Sequence, residues 1–432
     1  MNALFVNATL ADGRVRDVLV EGERVAAVEP AGSVPTATAD EVIDCEGKHL
    51  LPGAIDAHVH FRQPGFEHKE DWHTGSRSAA AGGVTTVVDQ PNTDPPTVTG
   101  GAFDAKAEFA GRSLVDFGVN GGVTADWDPD SLFARPLFAL GEVFLADSTG
   151  DMGIEADLFA DAVARAADED VVVTVHAEDA ELFDRSARDR PGDDADAWSA
   201  YRTAEAEAAA VERALDVGAD SDADIHIAHT STPEGIDAAS DAGATCEVTP
   251  HHLFLSREDL PELGTFGRMN PPLRSEARRE AVFERVADGT VDVVATDHAP
   301  HTRAEKDASI WEAPSGVPGV ETMLPLLLNE VREGTLALER VRDLVAANPA
   351  AVFDVPGKGR VVEGADADLV LVDLDSARPI SGDDLHSKCG WTPFEGRPGV
   401  FPELTLVRGH VAYDASGDGE RFGDAVGENV RA

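Results

Sequence analysis

Lysine is nearly absent from this 432-residue chain: Lys48, Lys69, Lys106, Lys306, Lys358 and Lys388 are the only six. With 35 basic residues against 81 acidic ones, the formal charge is −46 at pH 7. That balance disfavours a basic face for nucleic acid. The acidic residues are spread along the chain instead of being collected in a tail, so a salt-adapted (halophilic) surface is the economical reading. At about 1 M salt the Debye length shrinks to roughly 3 Å, and self-repulsion largely disappears. Cysteine is as scarce. Cys45, Cys246 and Cys389 form no CxxC pair, which argues against a disulfide framework or a thiolate zinc site and leaves buried, inert thiols. No apolar run approaches the roughly 20 residues of a membrane span. The first residues lack the basic start and long apolar stretch of a signal peptide, so cytoplasmic residence and no membrane partner are expected. A Gly-rich phosphate fingerprint after a strand is also missing, which argues against an open dinucleotide-binding sheet.

What is present has a clear order. Residues 3–7, 15–21 and 24–28 read as short strands, with Asp12-Gly13 and Glu21-Gly22 as turn signals. After Leu51-Pro52-Gly53 the pattern changes to apolar runs alternating with Ala-rich amphipathic stretches, the signature of repeated βα units. Eight such runs follow, at 54–58, 84–88, 115–119, 140–145, 171–175, 224–228, 245–249 and 291–296, with helical stretches such as 199–217 and 276–287 between them. The chain turns β-like again at 368–373 and 404–411. The expected fold is therefore α/β: a (β/α)₈ TIM barrel over 53–350, with a small β-sandwich domain built jointly by 1–52 and 351–432.

Chemistry gathers at the ends of those runs, where barrel enzymes keep their active sites. His58 and His60 close the first run, and the period-two geometry of a strand turns both to one face. Two imidazoles on one face grip one metal. His176 ends the fifth run, His229 the sixth and Asp297 the eighth. A lone strand-end histidine is more often a hydrogen-bonded structural residue, but five candidates at matching positions point to a shared cation. The mixture of imidazole and carboxylate suits zinc, and manganese or cobalt accept the same ligands.

The segments His58-Val59-His60-Phe61-Arg62-Gln63-Pro64-Gly65, Gln90-Pro91-Asn92-Thr93, His176-Ala177-Glu178-Asp179, His229-Thr230-Ser231-Thr232, Met269-Asn270-Pro271-Pro272-Leu273-Arg274 and Thr296-Asp297-His298-Ala299-Pro300-His301 together resemble the dihydroorotases, cyclic amidohydrolases of the pyrimidine pathway. The resemblance covers nearly the whole chain. It implies reversible closure of N-carbamoyl-L-aspartate to (S)-dihydroorotate, with zinc as cofactor, two ions per subunit or one. It leaves open a homo-oligomer or an association with aspartate carbamoyltransferase. Arg62 and Asn92 are the discriminating positions, because a substrate carboxylate needs a fork of donors beside the metal and Arg is shaped for that. In allantoinases and dihydropyrimidinases the residue corresponding to Arg62 is typically not Arg. By the same resemblance His301 helps bind the substrate and Asn270 lines the pocket. A metal-bound water has its pKa lowered toward ~7, and Asp297 is placed to take its proton and deliver it to the leaving ring nitrogen. The competing readings are an allantoinase or hydantoinase, and a non-catalytic relative that keeps the barrel for assembly.

One departure stands out. Many of these relatives bridge two metals with a carboxylated lysine at the end of strand four, where this sequence has Glu142. The only lysines between His60 and His176 are Lys69 and Lys106, neither in an expected strand. Either Glu142 bridges a rearranged pair, or one metal is held mainly by His58, His60 and Asp297, or Glu142 only caps a hydrogen-bond network. Asp147 is a second candidate bridge. Residues 65–72 and 302–319 read as covers for the pocket or as passive connections. His251 and His252 follow the seventh run, and one of them is expected to be structural.

Overall fold

A computed structural model describes residues 2–145, 152–417 and 419–432. All eight apolar runs become strands: Ala54–Val59, Val84–Asp89, Asp116–Val119, Leu140–Phe144, Val173–His176, Ile225–Ile227, Thr245–Val248 and Val293–Val294. The first three pair in parallel as one sheet and the last five as another. Two short seams close the ring. Gly141 N donates to Gly121 O at 2.7 Å on one side, and His60 N donates to His298 O at 2.8 Å on the other. The eighth strand is much shorter than its apolar run because side chains take over part of the pairing: Asp56 accepts Thr296 N at 3.0 Å and Thr296 Oγ1 at 2.6 Å. The result is an α/β barrel whose strand tips all open on one rim.

Helices between the strands bury their apolar faces against the ring. The stretch expected as one helix over 199–217 is two, Ala197–Tyr201 and Ala204–Ser221. The break is chemical: Thr203 is extended, and its hydroxyl accepts Ala206 N at 3.2 Å, an N-cap that starts a new helix. The helix Glu276–Asp288 matches its expected run within a residue and ends at Gly289 with φ 102°.

Both termini build a single β-rich unit. Asn2–Thr9, His49–Pro52, Leu369–Val372 and Leu404–Val407 belong to one nine-stranded sheet, and its two halves meet where Val370 pairs antiparallel with Leu51. The β-like run 404–411 splits at Arg408-Gly409, where φ values of 45° and 73° make a tight hairpin turn. A buried cluster ties this unit to the barrel: Lys358 Nζ reaches Asp116 Oδ2 on the third barrel strand at 2.8 Å and also bonds Asp368 at the edge of the terminal sheet. Among the described residues no helix is long and apolar enough to cross a membrane, and all three cysteines are free and buried.

Candidate active site

The first strand delivers His58 and His60 to the open rim, where they face carboxylates. His58 Nε2 lies 3.3 Å from Glu142 Oε2 and 3.6 Å from Asp297 Oδ1. His60 Nε2 lies 2.9 Å from Asp297 Oδ1. Across the mouth, Glu142 Oε1 is 2.7 Å from His176 Nδ1 and 2.6 Å from His229 Nε2. Glu142 thus turns Oε1 to His176 and His229 and Oε2 to His58. Ligand atoms of His58, His60 and Glu142 form one group within 4.8 Å of one another, and those of Glu142, His176 and His229 form a second. All six expected metal residues are buried and brought together. Asp147 lies outside the described residues.

The donor set fits a divalent cation. His58 Nε2 is buried without a hydrogen-bond partner although it points into the carboxylate cluster. Burial opposes charge on His58, yet Glu247 and Glu142 outweigh it and hold its pKa well above the usual imidazole value. His176 is likewise pushed up to about 9 against its burial by Glu142 and Glu178. Burial alone would raise Glu142, but His58 and His229 with the His176 hydrogen bond hold it well below the carboxylate range. The carboxylates thus favour positive charge at His58 and His176, the charge that a dication held by this donor set would supply.

Local backbone geometry aims these side chains. Arg62, His229 and Asp297 adopt φ of 63°, 32° and 46°, left-handed values that non-glycine residues hold only where the surroundings enforce them. Each stands two or three residues past the end of its strand, in the turn that leaves the barrel rim. Three outer residues absent from the sequence expectations then fix the imidazoles and Glu142. Glu247 Oε1 is 2.6 Å from His58 Nδ1 and accepts His229 N at 3.1 Å. Glu178, clamped by Arg202, lies 2.9 Å from His176 Nε2. Gln90 Oε1 accepts Glu142 N at 2.9 Å. The available signal for Glu247 was an acid inside an otherwise apolar strand, and Glu178 and Gln90 stand in the motif segments themselves.

On the substrate side, Arg62, Asn92, Asn270, Ser315 and Gly316 line a cavity of about 20 Å³ together with the cluster, enough for one water. Asn92 does more than line it: its Oδ1 lies 2.7 Å from His60 Nδ1 and holds that ring. Asn270 Oδ1 accepts Trp198 Nε1 at 3.0 Å. Buried Arg62 contacts His301 Nε2 at 3.3 Å and, among the described residues, has no carboxylate partner. Burial pulls its pKa down to about 10. Residues 302–319 contribute Ser315 and Gly316 to the wall, and 65–72 contribute Lys69, which touches His301 at 3.2 Å. At Gly316, with φ 129°, a Cβ would sit 2.6 Å from Ala299 O, so only glycine fits this wall. His252 is structural, bonded to Thr249 Oγ1 and Pro271 O. His251 is buried with Nε2 unpartnered, and burial pulls its pKa down to about 3.

Residues 49–396 match the model of the amidohydrolase family. The chain belongs to that family. Within it, this amidohydrolase is 68% identical to the dihydroorotase of Halobacterium salinarum, over 98% of the chain and 99% of the relative. It is 45% identical to the dihydroorotase of Methanosarcina mazei over 87% of the chain and 86% of that relative. Among solved structures it superposes on the L-hydantoinase of Arthrobacter aurescens with a TM-score of 0.92 at 29% identity, covering 98% of each chain. The dihydropyrimidinase of Brevibacillus agri follows at 0.90 and 27%, over 100% of this chain and 98% of that one. By sequence this amidohydrolase groups with the dihydroorotases, and its fold is shared with the hydantoinases.

Proposed function

We propose that the chain is a dihydroorotase, a cyclic amide hydrolase that interconverts N-carbamoyl-L-aspartate and (S)-dihydroorotate. The observation that carries the acidic substrate is Arg62: a buried guanidinium lining the pocket, which feels Asp297 and other carboxylates at a distance but makes no ion pair with any carboxylate of the described residues. Such a cation is costly until an anion meets it, and the substrate's ring carboxylate supplies one. Identity to two dihydroorotases supports the same reading.

His58, His60, Glu142, His176, His229 and Asp297 would hold the metal, zinc by this reading and two ions per subunit or one, with Glu142 the residue common to both ligand groups. The placement of Glu142 Oε1 beside His176 and His229 and of Oε2 beside His58 supports a shared role for this carboxylate. When bound, the metal polarises the ring carbonyl and lowers the pKa of the attacking water. Arg62, Asn92 and His301 hold the substrate carboxylate, and Asn270 lines the wall beside them. Asp297 is ionised although burial opposes it, because the His60 hydrogen bond and the neighbouring His58 lower its pKa. It takes one proton from the water as oxygen bonds to the carbonyl carbon. The C–N bond then breaks, and Asp297 passes that proton to the ring nitrogen. In the closing direction each transfer is reversed.

The division into a barrel over 53–350 and a β unit from 1–52 and 351–432 belongs to this proposal. So does residence in a reducing compartment, the cytoplasm, which the free buried thiols support. The test is turnover in high salt of dihydroorotate against dihydrouracil and allantoin, with elemental analysis of the same sample. Dihydroorotate turnover with metal bound is expected. Preference for a neutral ring would overturn the assignment.

A further inference from the structure

Two cations flank His301, and the mechanism above uses only Arg62. Lys69 Nζ lies 3.2 Å from His301 Nδ1 and is anchored 3.1 Å from Glu305 Oε1. An ammonium only donates, so Nδ1 accepts and the ring proton sits on Nε2. The other face of the ring demands the same arrangement. His301 Nε2 lies 2.9 Å from Ser315 O, a group that only accepts. Arg62 Nη2 stands 3.3 Å from that same nitrogen. A guanidinium also only donates, so Arg62 and His301 present two donors side by side that cannot bond each other. Ser315 O already takes the Nε2 proton, so an oxygen placed beside both accepts from Arg62 and shares the Nε2–H with that carbonyl.

We infer that Lys69 is a positioning residue for carboxylate recognition: by occupying His301 Nδ1 it holds the ring as an Nε2–H donor next to Arg62, making a fixed two-donor fork. The opposite tautomer would set an N–H against the ammonium and turn a lone pair toward the substrate carboxylate. His301 stays neutral in this setting, since burial together with Arg62 and Lys69 keeps its pKa well below the usual imidazole value. The inference rests on the carboxylate-bearing substrate proposed above. It assigns Lys69 no contact with the reacting atoms.

The experiment compares the wild type, Lys69→Met and Lys69→Arg in the full-length metal-loaded enzyme. Steady-state kinetics with dihydroorotate, calorimetric binding of orotate and metal analysis are run on each. Losing a charge-assisted orientation should raise KM and the orotate Kd about 10- to 100-fold in Lys69→Met, with kcat and metal content little changed and Lys69→Arg recovering much of the loss. The His301 ring nitrogens, read by ¹⁵N NMR without substrate, should show Nε2–H alone in the wild type and a share of Nδ1–H in Lys69→Met. A Lys69→Met enzyme with unchanged KM and Kd, or with His301 still wholly Nε2–H, overturns the inference. If the wild type neither turns over dihydroorotate nor binds orotate, the proposed function fails instead. The tautomer in the free protein still decides the role of Lys69.

Discussion

A hydrogen bond to a charged group is worth about 1.5–3 kcal/mol, so the energetic weight of the pocket falls on a few side chains. Arg62 carries much of it, being the buried cation proposed to meet the substrate carboxylate. Arg62→Met should raise KM for dihydroorotate by about 10- to 100-fold while metal content stays at the wild-type level. Lysine at that place would recover little, because it lacks the planar fork. Steady-state kinetics paired with metal analysis checks this, and unchanged kinetics would remove the case for an acidic substrate. Asp297 sits 2.9 Å from His60 Nε2, where a proton can be taken and returned. An amide there accepts a hydrogen bond but cannot serve as a base, so Asp297→Asn should lower turnover by about 10²- to 10⁴-fold. Stopped assays at several pH values measure it, and preserved activity would reassign the proton transfer.

At the scale of strands and loops, the site stands on outer contacts as much as on ligands. Glu247 holds His58 through Nδ1 and His229 through its backbone. Glu247→Gln keeps the shape and loses the charge, so metal affinity should drop about 10- to 100-fold, read by chelator competition; retention equal to wild type would deny Glu247 that part. The gathering of the proposed ligands at one rim was legible because strand periodicity and tip position are properties of sequence. Glu247 was not, since an acid within a strand does not say which imidazole it will meet across the barrel. The split at Arg408-Gly409 escaped for a related reason: an apolar run predicts extended chain, while a two-residue reversal depends on backbone φ. Another contact between elements is pH-sensitive. His386 lies 2.8 Å from Glu321 Oε1 and 2.9 Å from Glu420 Oε1, joining the barrel to the strand Gly419–Phe422. Burial opposes its charge, but the two carboxylates push its pKa up to about 9. A folded pKa above the unfolded value near 6.5 gives stability that is full below that value and lost as pH rises through about 9. The Tm of the wild type should therefore fall more between pH 7 and 10 than that of His386→Asn, and parallel curves would refute the contribution.

For the molecule as a whole, electrostatics decides the conditions of folding. Even if every one of the 35 basic residues were matched to a single acid, 46 of the 81 acidic residues would remain unpaired. Added salt acts on both populations. It weakens exposed pairs such as Arg135–Asp104 and Arg165–Asp130, which contribute little to stability, and it screens repulsion among the unpaired carboxylates. The second effect wins by number, because repulsion acts between many charges at once across a surface where the Debye length is about 10 Å at 0.1 M and about 3 Å at 1 M. Buried contacts such as Lys358–Asp116 are screened much less, so the link between the terminal sheet and the barrel persists while the surface relaxes. We therefore expect Tm to climb steadily from 0.1 to 2 M KCl and dihydroorotate turnover to climb with it. Equal osmolality of sucrose should reproduce only a small part of the gain, which separates screening from exclusion of cosolute. A Tm that is flat or falling over that range would show that the acidic surface is not an adaptation to salt.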